Sequence, residues 1–325
     1  MDLTALVGNE ALKRQLSAQA EGRGLSHAYL ITGPQGSGKT TLARLLAAAM
    51  VCTGTGEKPC GVCPACKKAA KDIHPDIITV REEEPGKGIL IAQARWVRSD
   101  AYIRPNEAPR KVYLFEDAAS MDLKTQNVLL KLLEEGPLYA AFLLQCENPG
   151  GVLETIRSRC EGLSLTPVSP AQAEAALLAR YPQTDRDRVR EAARRCGGLL
   201  GLAVAELEGD RDDGPIREMG QQLLKLLAAR DELGLAQLCV EMETGKWDRD
   251  TLVRLFLHLR SLLRDALVVQ AGGPGEPNPA AALPRPVLLS CVDRLETLRR
   301  AARVNAGVGH LCGSLCAGFA QALNN

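Results

Sequence analysis

Residues 33–40 read Gly33-Pro34-Gln35-Gly36-Ser37-Gly38-Lys39-Thr40, a complete phosphate-binding loop of the form G-x-x-x-x-G-K-[ST]. The residues just before it, Ala28 to Thr32, read as a short buried strand, and apolar residues recur at helical spacing after it. A loop between a strand and the start of a helix is the setting in which backbone N–H groups meet phosphate. The motif therefore favours a nucleotide pocket in an α/β fold over an accidental glycine-rich turn.

The residues of this loop have distinct predicted roles. The turn depends on three glycines, which let backbone N–H groups point at phosphate oxygens: Gly33, Gly36 and Gly38. Lys39 would reach the β- and γ-phosphates, and the Thr40 hydroxyl would hold Mg²⁺, with Thr41 next to it in the helix. ATP or ADP with Mg²⁺ is therefore the expected ligand.

A cluster of cysteines follows the helix that the loop opens. Its spacing is C-x7-C-x2-C-x2-C, formed by Cys52, Cys60, Cys63 and Cys66. Two C-x2-C steps turn tightly enough for thiolates to face one tetrahedral ion. The alternatives are a disulfide pair or free thiols, but disulfide frameworks belong to secreted chains, and the residues after Met1 do not read as a signal peptide. We expect a structural zinc ion.

Composition limits the class of protein. The chain has 325 residues, 46% hydrophobic, 24% charged and only 3% aromatic. This length suffices for two or three domains, and a core built of aliphatic residues favours helix. The net charge of +1 gives no general attraction to nucleic acid. No apolar run approaches the length of a membrane span.

Strand-like and helical stretches alternate through the first half of the chain, which is typical of a parallel sheet with crossover helices. After the first strand, we predict strands over 76–80, 111–116 and 142–146, with a helix capped by Asp122 between the last two. After about Ser169 the pattern is helical to the end. Glu208 to Gly214 reads as a linker, and Ala271 to Pro286 reads as a long loop.

Two acids end the predicted strand at 111–116. In the usual Walker B arrangement the first acid helps to hold Mg²⁺ and the second polarises the attacking water. Here Glu116 takes the place of the aspartate and Asp117 that of the glutamate, so the base is one methylene shorter. The alternative interpretation is a strand that ends in solvated acids.

Several motifs together resemble the delta-prime family of bacterial DNA polymerase III clamp-loader subunits, which are AAA+ proteins. Besides the phosphate-binding loop and the cysteines, they are Ser26-His27-Ala28-Tyr29-Leu30, His74-Pro75-Asp76, Asn127-Val128-Leu129-Leu130-Lys131-Leu132-Leu133-Glu134-Glu135 and Thr155-Ile156-Arg157-Ser158-Arg159-Cys160. The resemblance covers the first 165 residues strongly and the helical remainder only in layout.

The resemblance implies three domains: an AAA+ nucleotide-binding-type module with the zinc knuckle at 1–165, a small helical lid at 166–208, and an all-α collar at 209–325. It implies a bacterial, cytoplasmic protein that joins other clamp-loader subunits in a hetero-pentameric ring. Such a ring places the sliding clamp on primed DNA, without contact to a membrane.

The nearest alternative is the gamma/tau motor subunit of the same assembly, which shares the knuckle. The swapped Glu116-Asp117 pair, the His74-Pro75-Asp76 motif and the lid sequence around Gly201, where a motor subunit would carry an arginine, favour delta-prime. The intact phosphate-binding loop stands against it. We therefore expect weak nucleotide binding and little or no ATPase activity. A free-standing phosphate-loop kinase or a zinc-knuckle nucleic-acid-binding protein would be the alternatives from other classes.

Arg159 lies in the Ser158-Arg159-Cys160 motif. The residues alone favour a structural arginine paired with a nearby acid. The resemblance instead implies an arginine finger that projects into the ATP site of the neighbouring subunit, where it would act in catalysis.

Overall fold

A computed structural model of the chain describes residues 1–84, 87–208, 214–245, 247–273, 278–303 and 306–324. The chain divides into two compact units, Met1–Gly209 and Asp210–Asn325. Most of the linker predicted at 208–214 lies outside the described residues. The division into three domains stays a prediction.

The first unit is built on a five-stranded sheet with the order β2-β3-β4-β1-β5, in which all neighbours are parallel. The strands are β1 (Ala28–Thr32), β2 (Ile77–Val80), β3 (Lys111–Phe115), β4 (Ala140–Cys146) and β5 (Glu161–Ser164). The α/β fold class expected for an AAA+ module is therefore confirmed. β5 was not predicted, because it is short and only Leu163 in it is buried.

Helices cover both faces of this sheet. In chain order they are α1 (Glu10–Glu21), α2 (Lys39–Val51), α3 (Pro64–Ala70), α4 (Ile91–Asp100), α5 (Leu123–Glu135) and α6 (Glu154–Arg157). Successive β1 residues serve different cores: Leu30 packs with α4 and α5, and Ile31 packs with α1 and α2. Burial on both faces explains why the strands read as continuous apolar runs.

The predicted start of α5 is confirmed. The Asp122 carboxylate accepts a hydrogen bond from the Thr125 backbone N–H at 2.7 Å, which satisfies a donor of the first helical turn. The helix ends at Glu135, before Gly136 and Pro137. The last two residues of this helix, Glu134 and Glu135, are both acidic.

Three further helices close the first unit: α7 (Pro170–Arg180), α8 (Arg186–Arg195) and α9 (Leu200–Glu208). They enclose a small hydrophobic core of their own, which includes Leu177, Val189 and Ala203. α9 begins two residues after Gly198, and Gly197 and Gly198 adopt positive φ angles of 57° and 83°. These glycines turn the chain so that the start of α9 reaches the phosphate-binding loop.

The second unit is helical throughout its described residues, as predicted. It comprises α10 (Gly214–Ala229), α11 (Glu232–Thr244), α12 (Arg249–Gln270), α13 (Arg285–Arg303) and α14 (Val308–Asn324), packed around a leucine-rich core. The loop predicted at 271–286 contains a short 3-10 turn, Pro279–Ala282, and residues 274–277 lie outside the described ones. Across the part of the chain that the structure describes, no helix combines the length and apolar character that crossing a bilayer would take.

Candidate functional site

The phosphate-binding loop connects the end of β1 to α2, with Gly38 as the residue that caps the helix. The Lys39 ammonium donates hydrogen bonds to the carbonyl oxygens of Gly33 at 2.8 Å and Pro34 at 3.0 Å. Ser37 is buried, and no hydrogen-bond partner to its hydroxyl is present among the described residues. The loop therefore has the shape of a phosphate cradle, with one cation and one spare hydroxyl inside it.

Thr40 and Thr41 lie in the first turn of α2, and both are exposed. The Thr40 hydroxyl donates to the side-chain carbonyl oxygen of Gln145 at 3.2 Å. Gln145 is buried and lies next to the end of β4. Sequence reasoning missed Gln145 as a member of this site; the signal was a polar residue near the carboxyl end of a buried apolar strand.

The two acids after β3 lie at the same edge of the sheet as the loop. Glu116 is exposed, while the Asp117 carboxylate accepts a hydrogen bond from the Ala119 backbone N–H at 3.1 Å and caps a 3-10 turn. Burial raises the pKa of the Cys146 thiol to about 11; the Asp117 charge adds to this rise and the Lys39 charge opposes it. Asp117 and Lys39 act on one thiol at the end of β4, so the second predicted Walker B acid and the phosphate-binding loop lie at the same end of the parallel strands.

The start of α9 rests directly on the loop. The Gly201 backbone N–H donates to the Gly36 carbonyl oxygen at 2.9 Å. A β-carbon at Gly201 would lie 2.8 Å from the Gly36 α-carbon, so no side chain fits there without movement. The position at which motor subunits are expected to carry an arginine is therefore filled by backbone contact.

The four predicted metal ligands converge. The sulfur atoms of Cys52, Cys60, Cys63 and Cys66 all lie within 4.8 Å of one another, and two pairs are 4.0 Å apart. Sulfur ligands of a tetrahedral zinc ion are about 3.8 Å apart at Zn–S distances of about 2.3 Å, whereas a disulfide would need about 2.05 Å. The cluster therefore fits zinc. Gly54 permits this packing, because a β-carbon there would lie 2.6 Å from the Cys60 sulfur.

Backbone N–H groups point at the sulfurs of the cluster. The Cys66 N–H donates to the Cys63 sulfur at 3.4 Å and lowers the pKa of that thiol to about 5. The Cys63 N–H likewise lowers the pKa of Cys60. Burial raises the pKa of Cys66 to about 12. The pKa is therefore lowered for two of these thiols and raised for a third. A bound cation would favour the thiolate form of all four.

His74-Pro75-Asp76 forms a structural hub beside the sheet and not a part of the nucleotide site. The Asp76 carboxylate accepts hydrogen bonds from the backbone N–H groups of three consecutive residues, Asn106, Glu107 and Ala108, at 2.6–2.9 Å. Burial alone would raise the pKa of Asp76, but these donors hold it below its usual value. The hub fixes the chain that leads into β3.

Replacing Asp76 by alanine is expected to lower the free energy of unfolding by about 3 kcal/mol, because buried N–H donors would lose their acceptor. Since the pKa is lowered on folding, this stabilisation is present at neutral pH and is lost as the pH falls through the folded pKa, below about 3.9. Urea unfolding at several pH values measures both effects. Asp76→Asn, which keeps one acceptor oxygen, should lose less, and a change under about 0.5 kcal/mol for Asp76→Ala would contradict the expectation.

Arg159 lies away from the chain's own nucleotide pocket. It follows α6 and precedes β5, whereas the phosphate-binding loop follows β1, and β1 and β5 are parallel neighbours. The loop therefore lies at the carboxyl end of the parallel strands, and Arg159 lies at their amino end. The Arg159 guanidinium forms an ion pair with Glu134 and donates to the Thr155 carbonyl oxygen at 2.7 Å. Sequence reasoning expected an acidic partner but did not identify Glu134.

Comparison with known proteins places these sites in a family. A family model described as "DNA polymerase III, delta subunit" matches residues 8–169. The delta-prime subunit of DNA polymerase III from Pseudomonas aeruginosa is 33% identical over 223 residues, which are 66% of this chain and 67% of that protein. The gamma/tau subunit from Mycobacterium bovis is 33% identical over 198 residues, which are 59% of this chain and only 34% of that protein.

A solved structure, a DNA polymerase III gamma subunit-related protein from Thermotoga maritima, superposes with a TM-score of 0.46 at 16% identity, over 96% of this chain and 98% of that one. The match to the Pseudomonas subunit spans about two thirds of both proteins. The region matched by the family model, residues 8–169, includes the phosphate-binding loop, the four cysteines and Arg159. The chain belongs to the family of DNA polymerase III clamp-loader subunits that includes delta-prime, as its sequence motifs predict.

Proposed function

We propose that this chain is the delta-prime subunit of a bacterial clamp loader and does not hydrolyse ATP by itself. The observation that carries the proposal is the contact between Gly201 and Gly36. A motor subunit needs a lid cation near the γ-phosphate, and here that position has neither a side chain nor room for one. Without that charge, the transition state for phosphoryl transfer loses a main source of stabilisation.

The acids after β3 support the same proposal. The Asp117 carboxylate is shorter than the usual glutamate and accepts a hydrogen bond from the Ala119 backbone N–H. It is therefore poorly placed to polarise a water molecule. Lys39, Ser37 and Thr40 retain the chemistry for phosphate and Mg²⁺, so ATP or ADP binding fits the site, with turnover absent.

In this proposal the chain acts within a hetero-pentameric ring with other clamp-loader subunits. The ring would place a sliding clamp on primed DNA, and this subunit would supply Arg159 to the ATP site of its neighbour. The position of Arg159, at the sheet edge opposite its own phosphate-binding loop, suits a role outside its own pocket. The cysteine cluster would hold zinc with a structural role, since four thiolates leave no open coordination position.

The second candidate is a gamma/tau-type motor subunit of the same complex. The complete phosphate-binding loop favours it, since an unused loop has no need for Lys39 and Thr40. The similarity to the Mycobacterium gamma/tau protein is comparable to that shared with delta-prime. The two candidates differ in one measurable property, which is hydrolysis by the isolated chain.

The purified chain is expected to show no ATP hydrolysis above background and to elute with the other clamp-loader subunits as one complex in gel filtration. Phosphate release is measured for the wild-type chain and for Lys39→Ala, which removes the loop cation. Steady hydrolysis that disappears in Lys39→Ala would identify a motor subunit instead. Failure to enter the complex would reject both candidates.

A further inference from the structure

On the basis of the proposed role of Arg159, we infer that Glu134 is a positioning residue for the arginine finger. Glu134 lies on α5 and Arg159 follows α6, so two separate elements of the module meet at this pair. The Glu134 carboxylate fixes the guanidinium before a neighbouring subunit arrives. The partner's ATP site would then meet an arginine that is already oriented.

The guanidinium of Arg159 has two anchors. One terminal nitrogen donates to the Thr155 carbonyl oxygen at 2.7 Å and lies 3.4 Å from the Ser158 hydroxyl, and the other terminal nitrogen pairs with the Glu134 carboxylate. The backbone carbonyl fixes one end of the planar group, and Glu134 fixes the other. With both held, rotation of the plane about the bond that joins it to the side chain is restricted.

This arrangement leaves one N–H group of Arg159 to donate to the γ-phosphate of ATP in the neighbouring subunit. Each terminal nitrogen of a guanidinium carries two hydrogens, and in the described residues the nitrogen that pairs with Glu134 has no second acceptor. Arg159 retains 31% of its side-chain exposure and Glu134 retains 44%. The pair therefore lies at the surface, where a γ-phosphate presented by a neighbouring subunit can reach the remaining hydrogen.

The position of Glu134 on its helix supports a dedicated role. The last turn of a helix carries partial negative charge, so a carboxylate there is unfavourable by a few tenths of a kcal/mol to about 1 kcal/mol. α5 has no basic residue in its last turn to offset this. The glutamate at 134 is compensated by a cation from outside the helix, and that cation is Arg159.

A positioning role changes rate through geometry. Displacement of a reacting group by about 1 Å can cost up to about 10²-fold in rate. ATP itself is held by the neighbour's own phosphate-binding loop, so its binding does not depend on Glu134. Loss of Glu134 should therefore lower kcat of the complex and leave KM for ATP unchanged.

The test compares variants of this chain in the reconstituted clamp-loader complex, with gel filtration to verify that each one assembles. Glu134→Ala is expected to lower kcat about 10- to 100-fold. Glu134→Gln, which keeps an oxygen acceptor at the same place, should return kcat to within about threefold of the wild-type value. Glu135→Ala is the matched control, since Glu135 is exposed on the same turn, and it should have the wild-type rate.

The double variant Glu134→Ala/Arg159→Ala should be no slower than Arg159→Ala alone, because Glu134 acts through Arg159. A wild-type rate for Glu134→Ala beside a slow Arg159→Ala would overturn this inference and leave the proposed finger intact. So would a Glu134→Gln complex as slow as Glu134→Ala, or an additional loss in the double variant. A wild-type rate for Arg159→Ala would instead reject the proposed finger, and this inference with it.

Discussion

Arg159→Ala is expected to slow ATP hydrolysis by the reconstituted clamp-loader complex about 10³-fold, with folding and ring assembly unchanged. Charge develops on the γ-phosphate oxygens as the bond to the leaving group breaks, and an arginine supplied from a neighbouring subunit stabilises that charge by about this factor. The residue cannot do this in its own chain, because β5 and β1 place it at the far edge of the sheet from its own phosphate-binding loop.

The measurement is steady-state phosphate release by the complex, together with the rate at which it places clamps on primed DNA. Arg157→Ala is the matched control, since Arg157 is an exposed arginine at the end of α6, two residues before Arg159. Arg159→Lys should recover only part of the rate, because an ammonium lacks the planar fork of donors. Equal rates for the Arg159→Ala and wild-type complexes would contradict the arginine finger.

The ion pair with Glu134 also permits a purely structural role for Arg159, which was the interpretation favoured by the residues alone. Thermodynamics separates the two roles. Ion pairs between partly exposed side chains contribute about 0–1 kcal/mol to stability. Arg159→Ala should therefore change the free energy of unfolding of the isolated chain by less than about 1 kcal/mol, whereas the rate of the complex falls by orders of magnitude.

The local features of the fold could be predicted because short-range physics determines them. The phosphate-binding loop, the apolar run of β1 and the Asp122 cap each depend on residues that are neighbours in sequence. The cysteine cluster could be predicted for the same reason, because a tight C-x2-C turn brings its two sulfur atoms close enough to bind one ion. Motif and structure agree at these positions for that reason.

The partners of the functional residues could not be predicted, because they depend on the packing of distant segments. Thr40 and Gln145 are 105 residues apart, and Arg159 and Glu134 are 25 apart. β5 is added to the sheet through pairing with β1, and only one of its four residues, Leu163, is hydrophobic and buried. Gly201 illustrates what could and could not be predicted. The sequence indicates that the arginine expected in a motor subunit is missing, but only the fold shows that a backbone contact with Gly36 takes its place.

Loss of zinc is the other change for which a large effect is expected. The cluster joins the end of α2 to the start of α3, with Cys52 ending one helix and Cys63 capping the other. The loop between them contains no strand or helix, and a zinc ion held by the four thiolates would cross-link it. Removal of zinc should destabilise this segment by about 5 kcal/mol, less than the 10–16 kcal/mol of isolated zinc-finger peptides, because the sheet core folds around its own apolar residues.

Metal analysis of protein purified without chelator should find about one zinc ion per chain, and Cys63→Ser should reduce this several-fold. Cys63 is the informative ligand, because it both caps α3 and contacts the cluster. Proteolysis should then cut between residues 53 and 62 in the zinc-free chain, since local opening exposes that loop. Cys196→Ser is the matched control, because this buried thiol lies outside the cluster and its bond to the Ala193 carbonyl can be kept by a hydroxyl. Full zinc content in Cys63→Ser, or an unchanged cleavage pattern after chelation, would show that the four thiols hold no structural metal.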